Sequence, residues 1–324
     1  MSTFSSIVQR TGDPRIYLWA DGKWYYYDTM QKPIGSGAMG TVYVGYSMDG
    51  RSKVAVKRVN DRYANEMSIR NRARLEASLS FRHPNMIEMI GVCEYPDKKG
   101  PIFMLSNFVS GYNIDMHLDK YANYIHDREK FIALKICKIL DALEYLHYKG
   151  VIHRDIKPSN IMIDCNTDEP KLMDLGIAKL SNSKASSTGL VGTPQYAAPE
   201  QINRTEDDDS LTPATDIYAL GVTFYELLTG VNPFDSEIET EIISNNLNKK
   251  LPNHKLVSRK MMKVLRKATE KNHKKRYQSA KEFQFAIEQV LKSDRSIIDR
   301  IFDNDFYIVG IFLIFLAITL VLIF

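Results

Sequence analysis

Cysteine is scarce in this chain, and what little there is forms no pattern. Three residues in 324 (Cys93, Cys137, Cys165) make an odd count without metal-type spacing. A disulfide-stapled scaffold and a cysteine-ligated metal module are both excluded on that count. The three read as thiols of a reducing compartment, expected to behave as small buried apolar residues. A surplus of one charge is lacking as well. Lys plus Arg number 43 and Asp plus Glu 39, for a net charge of +4, too little to argue for a nucleic-acid partner. Nor does the N-terminus show a basic stretch, an apolar core and a small-residue cleavage site, so no secretory signal is read there.

What is present suffices for a large globular fold: 44% of the residues are apolar and 25% charged, enough to bury a core. The one compositional break comes late. Residues 307–324 are eighteen in a row without a charge, softened only by Tyr307, Gly310 and Thr319. As a helix they would extend about 27 Å, close to the hydrocarbon thickness of a bilayer. A buried core helix would show a polar face, and this run has none. The expectation is a tail-anchoring transmembrane helix at 307–324, preceded by a charged linker at 293–306, with the preceding domain facing the cytoplasm and no sensor domain beyond the anchor. Basic residues also cluster between Lys249 and Lys281; a solvated helical face is the plain reading, attraction to anionic headgroups the secondary one.

Near the start, residues 1–15 are polar and read as a loose arm. Two aromatic runs, Ile16-Tyr17-Leu18-Trp19 and Trp24-Tyr25-Tyr26-Tyr27, flank Asp21-Gly22 and read as a β-hairpin capping the next strands of the chain. Ile34-Gly35-Ser36-Gly37-Ala38-Met39-Gly40-Thr41-Val42 carries G-x-G-x-x-G, and strand-like residues rather than a helix pattern come after it. Val54-Ala55-Val56-Lys57 reads as a strand. From Phe131 to Tyr148 apolar residues recur at helical spacing, with Gly150 placed to end the helix. Val151-Ile152-His153-Arg154-Asp155-Ile156-Lys157-Pro158-Ser159-Asn160 then packs an acid, two bases, an imidazole and an amide into eight positions. Lys171-Leu172-Met173-Asp174-Leu175-Gly176, Gly192-Thr193-Pro194-Gln195-Tyr196-Ala197-Ala198-Pro199-Glu200 and Asp216-Ile217-Tyr218-Ala219-Leu220-Gly221 come next, in that order.

These motifs, in this order, resemble the eukaryotic-type (Hanks-type) serine/threonine protein kinase superfamily, and Gln201 after the Ala-Pro-Glu segment leans toward a bacterial member. The resemblance covers about Tyr27 to Leu291. It implies an α+β, bilobal protein kinase fold: an N-terminal arm and hairpin (1–26), a small antiparallel β lobe with one helix (27–109), and a larger, mainly helical lobe (110–292). It implies ATP with magnesium, or manganese in its place, and transfer of the γ-phosphate to Ser or Thr hydroxyls of proteins. Asp155 is the implied base, with Lys57 and Lys157 on phosphates and Asn160 and Asp174 on metal. Ile34, Gly35, Ser36, Gly37, Ala38, Met39, Gly40 and Val42 would cover the nucleotide, Ala55 would line it, and the hinge at Asn107-Phe108-Val109 would hold the adenine through its backbone. Ser106 would gate the back of that pocket, and Asn113 and Asp115 are candidates for the ribose.

Supporting roles are implied as well. Glu76, with Glu66 as alternative, would pair with Lys57; Asp216 would brace the catalytic loop; Glu200 would pair with Arg276. Thr193 ends a small, polar activation segment whose Ser186, Ser187 and Thr188 are candidate phosphosites, with Arg154 placed to meet a phosphate there. Partners are then protein substrates and a lipid bilayer, a homodimer being open and nucleic acid not expected. Leu175 departs from the usual phenylalanine, which keeps a second reading alive: a pseudokinase, a membrane-tethered module that binds nucleotide or a partner without turnover. A small-molecule phosphotransferase is disfavoured by the Gly192–Glu200 segment, which in the family shapes a peptide-docking surface.

Overall fold

The computed structural model describes residues 6–37, 40–61, 67–78, 81–95, 100–125, 127–173, 194–203 and 211–293; within 67–78 the side chains of 68, 72 and 75–78 are not included. Its first half is one antiparallel sheet. The strands are β1 (Ile7–Gln9), β2 (Arg15–Ala20), β3 (Lys23–Asp28), β4 (Gly35–Gly37), β5 (Gly40–Ser47), β6 (Lys53–Val59), β7 (Met89–Cys93) and β8 (Phe103–Asn107). Their order is β1-β2-β3-β5-β6-β8-β7, with β4 paired to β5.

The expected hairpin forms, and its turn explains its register. Asp21 and Gly22 both take positive φ, 45° and 72°, the pair of left-handed residues that a two-residue hairpin loop requires. Tyr17 then faces Tyr26 and Trp19 faces Trp24 across the strands, while Leu18, Tyr25 and Tyr27 turn inward and are buried. The hairpin is built into the sheet, since β3 pairs with β5. The loose arm expected for residues 1–15 is corrected in part: Ile7–Gln9 pairs with β2, because Ile7 has a buried apolar site to fill. The sheet curls until β2 reaches β7. The Cys93 thiol donates to the Trp19 carbonyl at 3.3 Å, and the Ser6 hydroxyl donates to the Glu94 carbonyl at 2.9 Å. A Cβ on Gly91 would lie 3.0 Å from that of Ala20, tighter than an ordinary contact, so a larger residue here would make the strands shift by a few tenths of an ångström. Val54, Val56, Phe103 and Leu105 fill the inside with the hairpin's inner residues.

Alternate residues of β6 point the other way. There α1 (Met67–Ser78) packs Ile69 and Ala73 against Val59 and Ile102. Arg70 and Arg74 fix that helix to Glu94 at 2.6 and 2.7 Å.

The second half is helical around a small sheet of β9 (Gly111–Asn113), β10 (Ile161–Asp164) and β11 (Pro170–Leu172). The helices are α2 (Ile114–Lys120), α3 (Arg128–Tyr148), α4 (Pro199–Ile202), α5 (Pro213–Thr229), α6 (Glu239–Asn248), α7 (Arg259–Ala268) and α8 (Ala280–Ser293). α3 starts where the Asp127 side chain accepts from the Lys130 amide and ends before Gly150 at φ 74°. Its periodic residues Ile132, Ile136, Ile139, Leu140, Leu143 and Leu146 are all fully buried. Phe81 and Met86, from the segment after α1, enter this larger core. The Leu172 amide donates to the Asn85 carbonyl at 2.8 Å, and that of Ile87 to the Leu172 carbonyl at 3.0 Å, so the two lobes are stitched by backbone.

One expectation about cysteine fails. Cys93 and Cys137 are buried, and burial pushes both thiols up to about 12, but Cys165 is exposed. It lies in the polar turn between β10 and β11, where no core is within reach.

If the hairpin is part of the lobe's core, Leu18→Ala should lower the stability of that lobe by about 2–5 kcal/mol, read from the urea midpoint at constant slope. An unchanged midpoint would mean that the hairpin folds as a separate unit.

Candidate active site

Glycines at 35, 37 and 40 build a hairpin in which Gly35 faces Val42 and Gly37 faces Gly40; Ala38 and Met39 at its tip lie outside the described residues. The amide of Ile34 donates to the Val42 carbonyl at 2.9 Å and continues the pairing. Only at Gly40 does the sheet itself demand glycine, since a Cβ there would collide with the Arg58 carbonyl oxygen. At Gly37 a Cβ would meet nothing within 4 Å, so that face of the loop is open.

Val42, Ala55 and Lys57 share one face. Lys57 sits opposite Val42 and Met104, and Ala55 opposite Ser106, and residues directly opposite in a sheet lie on the same side. α1 covers part of this face and carries Glu76, whose side chain is outside the described residues, as is the whole of Glu66. Farther along β8, the Asn107 amide donates to the Glu88 carbonyl at 3.0 Å and its Nδ2 to Glu88 Oε2 at 3.2 Å. Asn113 ends β9 opposite Met162, and Asp115 is exposed in the first turn of α2.

The loop 151–160 connects α3 to β10, and its acid, lysine and amide converge. Asn160 Nδ2 donates to the Asp155 carbonyl at 2.7 Å and to Asp155 Oδ2 at 3.1 Å. Lys157 Nζ is 3.4 Å from the same Oδ2. Pro158 opens a single 3-10 turn, Pro158–Asn160, after Lys157 in extended backbone, the conformation that a proline imposes on the residue before it. His153 is fully engaged: the Asp155 amide donates to its Nδ1 at 3.3 Å, and its Nε2 lies 2.9 Å from the Met173 carbonyl. With Nδ1 accepting, Nε2 carries the proton and donates. The Met173 amide donates in turn to the Asn160 carbonyl at 2.9 Å. Met173 is thereby fixed on both sides; Asp174, the next residue, lies outside the described residues, as do Thr193, Ser186, Ser187 and Thr188.

Beneath the loop is Asp216, wholly buried in the first turn of α5. Its Oδ2 accepts from the His153 amide at 2.8 Å and from His147 Nε2 at 2.8 Å, and its Oδ1 accepts from the Arg154 amide at 2.8 Å. Burial pushes this carboxyl up, but the His147 hydrogen bond and charge, His153 and the Arg154 amide outweigh it and hold the group below its ordinary value. The bonds hold an unfavourable backbone: Arg154 has φ 69°, a left-handed conformation that a non-glycine residue rarely adopts without support. The Arg154 carbonyl is held too, accepting from Gln201 Nε2 at 3.2 Å, while Gln201 Oε1 accepts from the Ala198 amide at 3.0 Å.

Glu200 and Arg276 meet as expected, at 2.7 and 2.8 Å. The Arg276 side chain is fully buried and also donates to the carbonyls of Ala214, Glu270 and Lys271, so its donors are satisfied within the protein. Thr215 adds a hydroxyl to Glu200 at 2.9 Å.

Four contributors have no functional mark in the sequence. His147 ends α3 without a motif around it, Gln201 reads there only as a sign of origin, and Thr215 lies inside a helix start. Lys271 sits under Tyr218 and Phe234, donating to Tyr218 Oη at 2.8 Å, and burial, with Arg276 nearby, pushes its ammonium down to about 7. Only Gln201 carries a signal that could have found it, its place after Ala-Pro-Glu.

A strand-rich lobe carrying a glycine hairpin and a lysine, stitched to a helical lobe carrying this loop, is the bilobal protein kinase fold. A family model described as protein kinase domain matches residues 28–293, and the chain belongs to that family. Serine/threonine-protein kinase PrkC of Bacillus subtilis (strain 168) is 32% identical over 271 residues, 81% of this chain and 40% of that protein. Serine/threonine-protein kinase PknB of Mycobacterium tuberculosis (strain ATCC 25618 / H37Rv) is 30% identical over 268 residues, 79% of this chain and 42% of that protein. Serine/threonine-protein kinase pkn3 of Myxococcus xanthus is 29% identical over 279 residues, 81% of this chain and 49% of that protein. The chain spans between two fifths and a half of the length of these curated relatives.

Asp216→Asn should cost about 3 kcal/mol in the unfolding free energy near neutral pH, the scale of breaking a buried charged network. The carboxylate's stabilisation is present above its ordinary value of 3.8 and is lost as pH falls through the lowered native value. Unfolding curves across acid pH should therefore steepen for the wild type and flatten for the variant; identical curves would contradict the assignment.

Proposed function

We propose that this chain transfers the γ-phosphoryl group of ATP to serine or threonine hydroxyls of proteins. The observation that carries the reading is the convergence of Asp155, Lys157 and Asn160 on a loop whose backbone is held by Asp216. Asp155 would orient the attacking hydroxyl and take its proton at Oδ1 or Oδ2. Lys157, a few ångströms from that carboxylate, would meet negative charge on the transferred group, and Lys57 on the opposite lobe would hold the remaining phosphates.

The donor set fits a divalent cation. Asn160 Nδ2 gives both of its hydrogen bonds to Asp155, which leaves the amide oxygen as what this residue offers a metal, a hard ligand suited to magnesium or manganese. Asp174 would supply the carboxylate. When bound with ATP the ion neutralises charge on the phosphates. The open face over Gly37 would admit phosphates, Val42 and Ala55 would line the base, and with the Asn107 amide donated to Glu88, Val109 would supply the hinge donor. The names of the relatives as serine/threonine-protein kinases support the same substrate class.

Residues 307–324 form a membrane span, with the kinase domain on the cytoplasmic side; the uncharged eighteen-residue run supports this, while among the described residues no helix is long and apolar enough to cross a membrane. The chain also phosphorylates its own activation segment at Ser186, Ser187 or Thr188, where Arg154 would meet the phosphate.

Phosphate incorporation from ATP into basic and neutral protein substrates tests the reaction. With the full chain in detergent, Asp155→Asn should reduce turnover by about 10²–10⁴-fold; equal incorporation by both proteins would remove Asp155 from the chemistry. Alkaline carbonate tests the span: the full chain should stay with membranes and leave only with detergent, and release by carbonate alone would refute it.

A further inference from the structure

The outward face of α7 takes no part in the catalytic loop or the nucleotide face, and its composition is one-sided. Every exposed position on the helix is basic: Arg259, Lys260, Lys263, Arg266 and Lys267, while Met261, Met262, Val264, Leu265 and Ala268 are buried. At 100° per residue those five fall within an arc of about 120°, a single stripe. Internal partners account for only part of it. Lys267 pairs with Glu282 of α8 at 3.0 Å, and Arg266 caps the Leu251 carbonyl. Arg259 and Lys263 form no ion pair among the described residues.

The stripe also lies where the chain leaves the domain. Lys260 Nζ donates to Ser293 Oγ at 2.9 Å, joining the start of α7 to the last described residue. From there thirteen residues, 294–306, lead to the uncharged run, and even fully extended they reach about 45 Å. Those thirteen hold four aspartates (Asp294, Asp299, Asp303, Asp305) against two arginines (Arg295, Arg300), so the linker itself does not attract anions. We propose that the α7 face docks on an anionic phospholipid bilayer and lays the large lobe against the membrane. This rests on reading 307–324 as a span, which would hold the stripe at high local concentration beside the surface. Each basic residue at such a surface is worth on the order of a fivefold change in partitioning.

The test uses the full chain reconstituted in phosphatidylcholine bilayers with and without phosphatidylglycerol, with lysine acylation followed by mass spectrometry. Labelling of Lys263 should slow about fivefold or more in the anionic bilayer, while the exposed Lys32 of the small lobe labels equally in both. Arg259→Glu with Lys263→Glu should restore fast labelling of Lys260 at unchanged melting temperature. Equal labelling of Lys263 in the two bilayers, or slowing of Lys32 to the same degree, overturns the proposal. So does protection of Lys263 by heparin in solution without protection on the bilayer, which would assign a soluble polyanion instead. The carbonate wash separates the two readings. Protein that stays with membranes but labels equally refutes docking alone. Protein released by carbonate refutes the span, and salt-sensitive flotation of that released protein with phosphatidylglycerol vesicles then decides the α7 face by itself.

Discussion

A buried carboxylate holds the loop 151–160 in shape. Asp216 has no contact with water and is kept ionised by two backbone amides and an imidazole. A charge so placed is tolerable only if it is paired and hydrogen-bonded, and meeting that requirement fixes the backbone of His153 and Arg154 in place. The left-handed Arg154 is the consequence. It turns the chain so that Asp155 stays partly exposed while His153, two residues earlier, is buried. His153 then reaches Met173 and Asn160 reaches Asp155, so one buried group positions residues spread over three segments of chain.

The helical lobe supplies the rigidity this arrangement needs. α5 is buried along nearly its whole length and presents Asp216 from its first turn, a more precise place to mount a positioning group than a loop. α3 runs beside it and delivers the loop from its C-terminal end, where His147 joins the same network. Glu200, Thr215 and Arg276 form a second buried ionic cluster at the start of α5, and Gln201 links its neighbourhood back to the Arg154 carbonyl. Residues 198–201 and the loop 151–160 are thereby parts of one hydrogen-bonded unit.

Much of this is legible in the sequence, for identifiable reasons. The Asp21-Gly22 turn, the period of α3 and the Gly150 stop are local effects, and local effects can be read from neighbours in the chain. Asp155, Lys157 and Asn160 are legible because their spacing is short enough for one loop to bring them together. The rest depends on closure in three dimensions. Nothing between Ser6 and Gln9 says that β1 will find β2, or that the sheet will curl until Trp19 meets Cys93. His147 and Gln201 act through partners six and forty-seven positions away, at His153 through Asp216 and at Arg154; no motif marks His147, and Gln201 is marked only by its place after Ala-Pro-Glu. Cys165 defies the expectation of burial because that expectation rests on residue type, and its turn offers no interior.

The proposed reaction requires Lys57, Asp155, Asn160 and Asp174 to surround one nucleotide and its divalent ion. A structure of the full chain with magnesium and a non-hydrolysable ATP analogue tests it most directly. It should place the Asn160 amide oxygen and an Asp174 carboxylate oxygen on metal, with Asp155 facing the terminal phosphate across space for a hydroxyl. Carboxylates of Asp155 and Asp174 opening into different cavities, or a nucleotide seated away from both, would contradict the account.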